Sequence, residues 1–174
     1  MSIVREYKNN INQIISEKDR GMYDAINKGI DIANGDVIGI LNSDDIFNDD
    51  TIITNVVNIF LKKNVDLTWG DIVFVDKDDK IKRTYDGSNI NSSSFDYGIM
   101  PPHPSVFIKK KCYSKFGNFN LKYKIASDYE LLFRFIKIQK LNYYYIPKVI
   151  VRMKLGGASN KNIFNIIKLN QEIY

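Results

Sequence analysis

The chain predicts an α/β fold, and three observations carry that prediction. Segments with apolar residues at helical spacing alternate with short β-branched and aromatic runs, the order that layers helices on a sheet. The apolar run from Val37 to Leu41 leads straight into Asn42, Ser43, Asp44 and Asp45, as a buried strand does when it ends at the carboxyl edge of an open sheet. Finally, 44% hydrophobic residues in a chain of 174 suit one globular domain, which at this size buries roughly 70% of its unfolded surface.

Taken in order, Ile3, Val4 and Tyr7 give a short amphipathic helix, and Ile11 to Ser16 reads as a strand. Met22, Ala25, Ile26, Ile30 and Ala33 recur at helical spacing, with Asn34 and Gly35 supplying a left-handed stop. The strand that ends in the acidic cluster follows at once. Ile52, Ile53, Val56, Val57, Phe60 and Leu61 make the next helix. Leu67 to Val75 and Ile81 to Tyr85 then flank a polar turn and predict a hairpin.

Residues 86 to 104 are rich in Gly, Ser, Asn and Pro, which predicts a long loop too polar to pack and therefore functional or mobile. Ser105 to Lys109 reads as a strand. Ser127 and Glu130 match a capping box opening a helix that runs to about Ile138. Leu141 to Val151 is a strand, Gly156 and Gly157 a turn, and residues 160 to 174 a final amphipathic helix.

The chemistry concentrates at Asn42 to Asp45. Two carboxylates at a strand end suit Mg²⁺ or Mn²⁺, hard cations that take oxygen ligands and share them with substrate phosphates. A solvated loop leading into a helix N-terminus, where Asp is favoured, explains the same residues. The net charge of +5 allows an anionic partner, and Lys109 to Lys111 could meet phosphate, nucleic acid or an anionic membrane surface. Nucleic acid is disfavoured, because aromatic and basic residues do not interleave on one predicted surface. The single cysteine, Cys112, excludes an intrachain disulfide and reads as a small buried hydrophobe, which suits a reducing compartment. No apolar run reaches the roughly 20 residues that span a bilayer, and no signal-peptide core opens the chain, which predicts a cytoplasmic protein.

Five segments together resemble the family-2 glycosyltransferases, enzymes of the GT-A fold that build bacterial surface polysaccharides. They are Ser16 to Ile30, Ala33 to Asp36, Leu41 to Asp45, the Pro102-His103-Pro104 loop, and Ala126 to Leu132. The resemblance implies an open mixed sheet flanked by helices. It also implies transfer of a sugar from a nucleotide-diphosphate donor to a carbohydrate or lipid-linked acceptor hydroxyl, with inversion. In the family's Asp-x-Asp motif the last carboxylate holds a divalent metal on the donor diphosphate, and Asp44 stands in that place with Asp45 beside it. Asn42 stands at the motif's first position, where an amide binds hydroxyls or metal-bound water but brings no charge.

The resemblance further implies that Asp128 is the general base. Asp in the first turn of a helix is also stabilised by the helix dipole alone. His103 would face the donor pyrophosphate or the acceptor, and a structural role for a lone loop histidine is the alternative. Asp24, Asn27 and Lys28 would border the nucleotide. Arg152 with residues 156 to 159 resembles a segment that closes over the phosphates.

The family's opening strand and a later Asp-Gly-Ser-Thr-Asp segment, which build most of its nucleoside pocket, have no counterpart in this chain. The expectation is thus a single, N-terminally truncated catalytic domain over residues 1–174, with an uncovered sheet edge that invites association. Besides an active transferase, the residues permit an inactive paralogue or a binding subunit of the same fold. An aspartyl phosphotransferase ranks last, since Asn42 cannot form the phosphoenzyme. Contact with the inner face of a membrane and oligomerisation stay open.

Overall fold

The computed structural model describes residues 2–155, so the turn at 156–157, the segment 156–159 and the helix expected over 160–174 lie outside the described residues. Helix α1 (Ser2–Glu6) opens the chain, followed by α2 (Met22–Ile32), β1 (Val37–Gly39), β2 (Ile46–Phe47), α3 (Ile52–Lys62) and the hairpin β3 (Leu67–Val75) and β4 (Ile81–Tyr85). Then come β5 (Phe107–Lys109), α4 (Lys110–Phe116), α5 (Ser127–Leu132), a π-helical turn (Phe133–Ile138) and β6 (Tyr143–Lys154).

The sheet has the order β1-β5-β3-β6-β2, with β4 also on β3. Strands β3 and β6 run parallel and every other pair is antiparallel, so the sheet is mixed. Strand β3 is buried along nearly its whole length, as a central strand covered on both faces must be. One face packs Leu67, Trp69 and Ile108 against Tyr23, Ile30 and Tyr113 and, from α5 and the turn after it, Leu132 and Phe135. The other packs Ile72, Phe74, Ile146 and Ile150 against Ile52 and Val56 of α3. Among the described residues β1 pairs with β5 alone, which leaves its other edge open.

Gly70 lies where the β3–β6 register shifts. A Cβ there would meet Ile150 Cγ1 at 2.5 Å and the Lys148 carbonyl oxygen at 2.6 Å. Gly70→Ala is therefore expected to lower stability by about 1–3 kcal/mol through overpacking against backbone that cannot retreat. Gly29→Ala, in α2 with open space around it, should instead add about 0.5–1 kcal/mol of helix stability. Urea unfolding of the two variants checks both signs, and equal midpoints for them would refute the packing assignment.

Four sequence expectations need correction. Residues 11–16 form no strand: nearly all are exposed, and no strand among the described residues offers them a ladder. The stretch 86–104 is not too polar to pack. Ile90 and Phe95 are buried, and Trp69 Nε1–H donates to Gly87 O at 3.0 Å, Tyr85 OH to Met100 O at 3.0 Å and Tyr129 OH to Phe95 O at 2.6 Å. Partners along the loop's own backbone replace the apolar surface its composition lacks.

The capping box does not form either. Ser127 is the first helical residue, and its hydroxyl donates to Asn120 O at 2.9 Å. Glu130 is taken by Arg134, with Nε 2.8 Å away, rather than reaching back to the helix start. Helix α2 ends without a left-handed residue: Ala33 is extended, and the Lys110 ammonium donates to its carbonyl, placing a cation where the helix dipole favours one.

Candidate active site

The turn after β1 presents the acidic cluster. Asp45 N–H donates to Asn42 O at 3.1 Å, and Asn42 Nδ2–H donates back to Asp45 Oδ2 at 2.9 Å, so Asn42 folds the turn onto the second carboxylate. Asp44 and Ser43 are exposed, whereas Asp45 is only 6% exposed. Burial raises the Asp45 carboxyl above its ordinary range, the Asn42 amide pulls it back, the Asp44 charge adds to the rise, and His103 offsets it.

His103 begins a single 3₁₀ turn, His103–Ser105, entered through Pro102. The turn is anchored by Ser105, fully buried, whose hydroxyl lies 2.6 Å from Gly70 O and 2.8 Å from Pro102 O. From that turn His103 Nδ1 reaches Asp128 Oδ2 at 3.2 Å. The other carboxylate oxygen of Asp128 accepts the Tyr129 N–H at 2.8 Å and lies 3.2 Å from the Tyr23 hydroxyl. Ile40, just ahead of the acidic turn, lines one small pocket with His103 and Asp128. Ile40, His103 and Asp128 thus converge from three separate stretches of chain, and the acidic turn follows directly on Ile40.

The remaining predicted site residues are engaged within the protein. Asp24, buried, accepts Arg20 Nη2–H at 2.8 Å and Arg20 N–H at 3.0 Å, and these bonds hold its carboxyl down to about 2. Lys28 Nζ meets Glu17 at 2.6 Å and Asp19 at 2.7 Å, with Asp24 at 3.7 Å. Asn27 clamps Phe119 through both its backbone groups, each at 2.9 Å. Arg152 pairs by backbone with Ile46, next to Asp45, but its guanidinium donates to Asp79 Oδ2 at 2.7 Å on the β3–β4 turn.

Tyr23 reaches the candidate site at Asp128, and the motifs did not single it out because its helical spacing reads only as core. Its ring does stack on Phe119, with centroids 5.4 Å apart, while its hydroxyl arrives at Asp128. A polar tip on a buried aromatic is the signal that was available.

Among the described residues no group of three or more His, Cys, Asp and Glu side chains is assembled around a cation position. The donor set is instead the adjacent carboxylates of Asp44 and Asp45. It fits a divalent cation that takes the rest of its oxygen ligands from a diphosphate and water. Among the described residues no helix is long and apolar enough to cross a membrane.

Known proteins resemble this chain in sequence and in fold. A PGL/p-HBAD biosynthesis glycosyltransferase of Mycobacterium bovis is 26% identical over 146 residues, covering 83% of this chain and 55% of the relative. An uncharacterized glycosyltransferase of Mycobacterium tuberculosis is 31% identical over 121 residues, 68% of this chain and 45% of the relative. The chain spans about half the length of the curated relatives it matches. Among solved structures, S. aureus TarS 1–349 in complex with UDP superposes with a TM-score of 0.66 at 14% identity, over 99% of this chain and 50% of that one. Its complex with UDP-GlcNAc superposes with a TM-score of 0.67 at 15% identity, over 93% and 48%. These likenesses establish the GT-A fold. The model of the family described as glycosyl transferase family 2 matches residues 2–137, a span that takes in the acidic turn, the His103 turn and the helix mouth of Asp128. The chain belongs to glycosyl transferase family 2.

Proposed function

We infer that the chain is a glycosyltransferase that moves a sugar from a nucleotide-diphosphate donor to an acceptor hydroxyl with inversion. The observation that carries this reading is that Ile40, directly ahead of the acidic turn, lines one small pocket with His103 and Asp128, which are themselves in contact. We read the turn's carboxylate pair as suited to a diphosphate-bound cation and Asp128 as suited to proton removal. Mn²⁺ or Mg²⁺, held by Asp44 and Asp45, would neutralise charge on the leaving diphosphate.

The proton chemistry falls to Asp128. As the acceptor oxygen forms its bond to the anomeric carbon, its proton passes to an Asp128 carboxylate oxygen. The bond from the anomeric carbon to the diphosphate breaks, and its electron pair leaves with the nucleoside diphosphate. An acceptor hydroxyl is a poor nucleophile without such a base, which contributes typically about 10²–10⁴-fold. We assign the acceptor to the carbohydrate or lipid-linked class used in polysaccharide and glycoconjugate synthesis, a reading that membership of glycosyl transferase family 2 supports, and we place its action in the cytoplasm.

The expected result is saturable binding of UDP, GDP or dTDP that strengthens when Mn²⁺ or Mg²⁺ is added, measured by calorimetry. Slow release of nucleoside diphosphate from the matching nucleotide sugar, with water as acceptor, should accompany it. Absence of binding to all three nucleotides with either metal would sink this reading.

A further inference from the structure

We propose that His103 is a positioning residue for Asp128, holding the carboxylate through its Nδ1–H while the imidazole itself takes no proton from the acceptor. This rests on the glycosyl-transfer reading above, in which Asp128 is the base.

The two oxygens of Asp128 are held differently. Oδ1 takes the Tyr129 N–H at 2.8 Å and has the Tyr23 hydroxyl 3.2 Å away. A tyrosine hydroxyl carries one hydrogen, and the 2.6 Å contact to Ile125 O claims it. Tyr23 therefore limits the movement of Oδ1 more by its bulk than by a second donated bond. Oδ2 meets His103, so the imidazole decides which way the carboxylate plane faces. The Asp128 side chain is 14% exposed and that of His103 37%, which puts their contact at the mouth of the pocket rather than in bulk solvent.

The turn that presents the imidazole is braced. Pro102 and Pro104 flank His103, and Ser105 ties the turn to Gly70 of the central strand. An orienting group has to be rigid to be useful, because a displacement of about 1 Å at a reacting group can cost about 10²-fold in rate. Which imidazole nitrogen carries the hydrogen depends on the bond the ring makes, and in this proposal it sits on Nδ1, which lies 3.2 Å from Oδ2. Asp128 keeps its second Oδ2 lone pair for the acceptor proton, and His103 ends the step in the protonation state in which it began.

Asparagine and glutamine separate orientation from proton transfer, because the asparagine amide nitrogen sits where Nδ1 sits and the glutamine amide reaches toward Nε2. In nucleoside diphosphate release from the nucleotide sugar that binds, His103→Ala should lower kcat by about 10–10²-fold with the donor KM changed by less than about twofold. His103→Asn should recover to within about threefold of the parent, and His103→Gln should not.

His103 is the only histidine of the chain, so its ring nitrogens give one unambiguous set of ¹⁵N NMR signals. At a pH where the ring is neutral the parent should show the Nδ1–H tautomer, and Asp128→Ala should return it toward the mixture of a free imidazole. An Nε2–H tautomer in the parent overturns the proposal. So does an alanine variant as active as the parent, or an asparagine variant as inactive as alanine, which would make the ring itself the base. A parent chain that binds no nucleotide and releases no diphosphate overturns the functional reading and the proposal with it, and is told apart from the other failures by the parent's own inactivity.

Discussion

Asp128→Asn is expected to lower nucleoside diphosphate release by about 10² or more while leaving donor affinity and fold intact. The amide keeps the volume of the carboxylate. Its oxygen can still accept the Tyr129 N–H, now at 2.8 Å, so the contact at the start of α5 survives. What the variant cannot do is take a proton. Loss confined to kcat is thus the signature of a base, because a group that binds substrate and transition state equally would move KM instead. The contrast with His103→Asn is informative, since that substitution keeps an N–H donor and so is expected to be mild. A release rate equal to the parent's, with the fold shown intact by its unfolding midpoint, would return Asp128 to a purely structural role at the helix mouth.

Most of the element pattern was legible because local chemistry and tertiary packing agree. The nine-residue strand β3 and its hairpin partner β4 fall where β-branched and aromatic runs flank the turn at 76–80. Helices α2 and α3 fall where their apolar spacing ends. What local pattern could not reveal depends on partners distant in sequence. Residues 11–16 carry the composition of a strand but find no ladder among the described residues. Strand β2 is two residues long and exists only because Ile46 and Phe47 pair with Arg152 and Val151. Helix α4, at Lys110–Phe116, is hidden in a lysine run that reads as surface charge, yet Cys112 and Tyr113 within it are buried.

The same division holds for the site. Asp44, Asp45 and Asp128 stand out in the sequence by local signals, an acidic pair after an apolar run and an acid at a helix start, although the strand stops at Gly39 and the pair lies in the turn beyond it. That His103 touches Asp128, and that Tyr23 reaches the same carboxylate across 105 positions, are facts of the third dimension. Lys28 shows the converse. Its helical position beside the acidic strand makes it a reasonable phosphate partner, but Glu17 and Asp19 lie within 2.7 Å of its ammonium and hold its charge in an ion-pair cluster. Sequence position shows which side chains are charged, and only packing shows which of those charges already have partners.

Asp44→Asn is expected to abolish the metal-dependent part of nucleotide binding and leave the metal-independent part in place. Asp44 is exposed at the end of the acidic turn, whereas Asp45 is buried and tied to the Asn42 amide. Among the described residues no side chain is recorded against the exposed carboxylate of Asp44, which would leave it able to meet a cation. Asp44 and Asp45 would hold the cation, and its charge would offset theirs. Removing one charge lowers cation affinity steeply, because hard-cation sites set their affinity by ligand charge. Loss of an outer-shell partner alone costs about 10–100-fold, so loss of the carboxylate itself should cost at least about 10²-fold in Mn²⁺-supported UDP affinity. Asp45→Asn should also lose the metal response, but through its link to Asn42 it should in addition shift the unfolding midpoint of the metal-free chain. Calorimetry with and without Mn²⁺, alongside thermal unfolding of the same variants, separates the two carboxylates. Full retention of Mn²⁺-stimulated binding by Asp44→Asn would remove the acidic turn from the donor site.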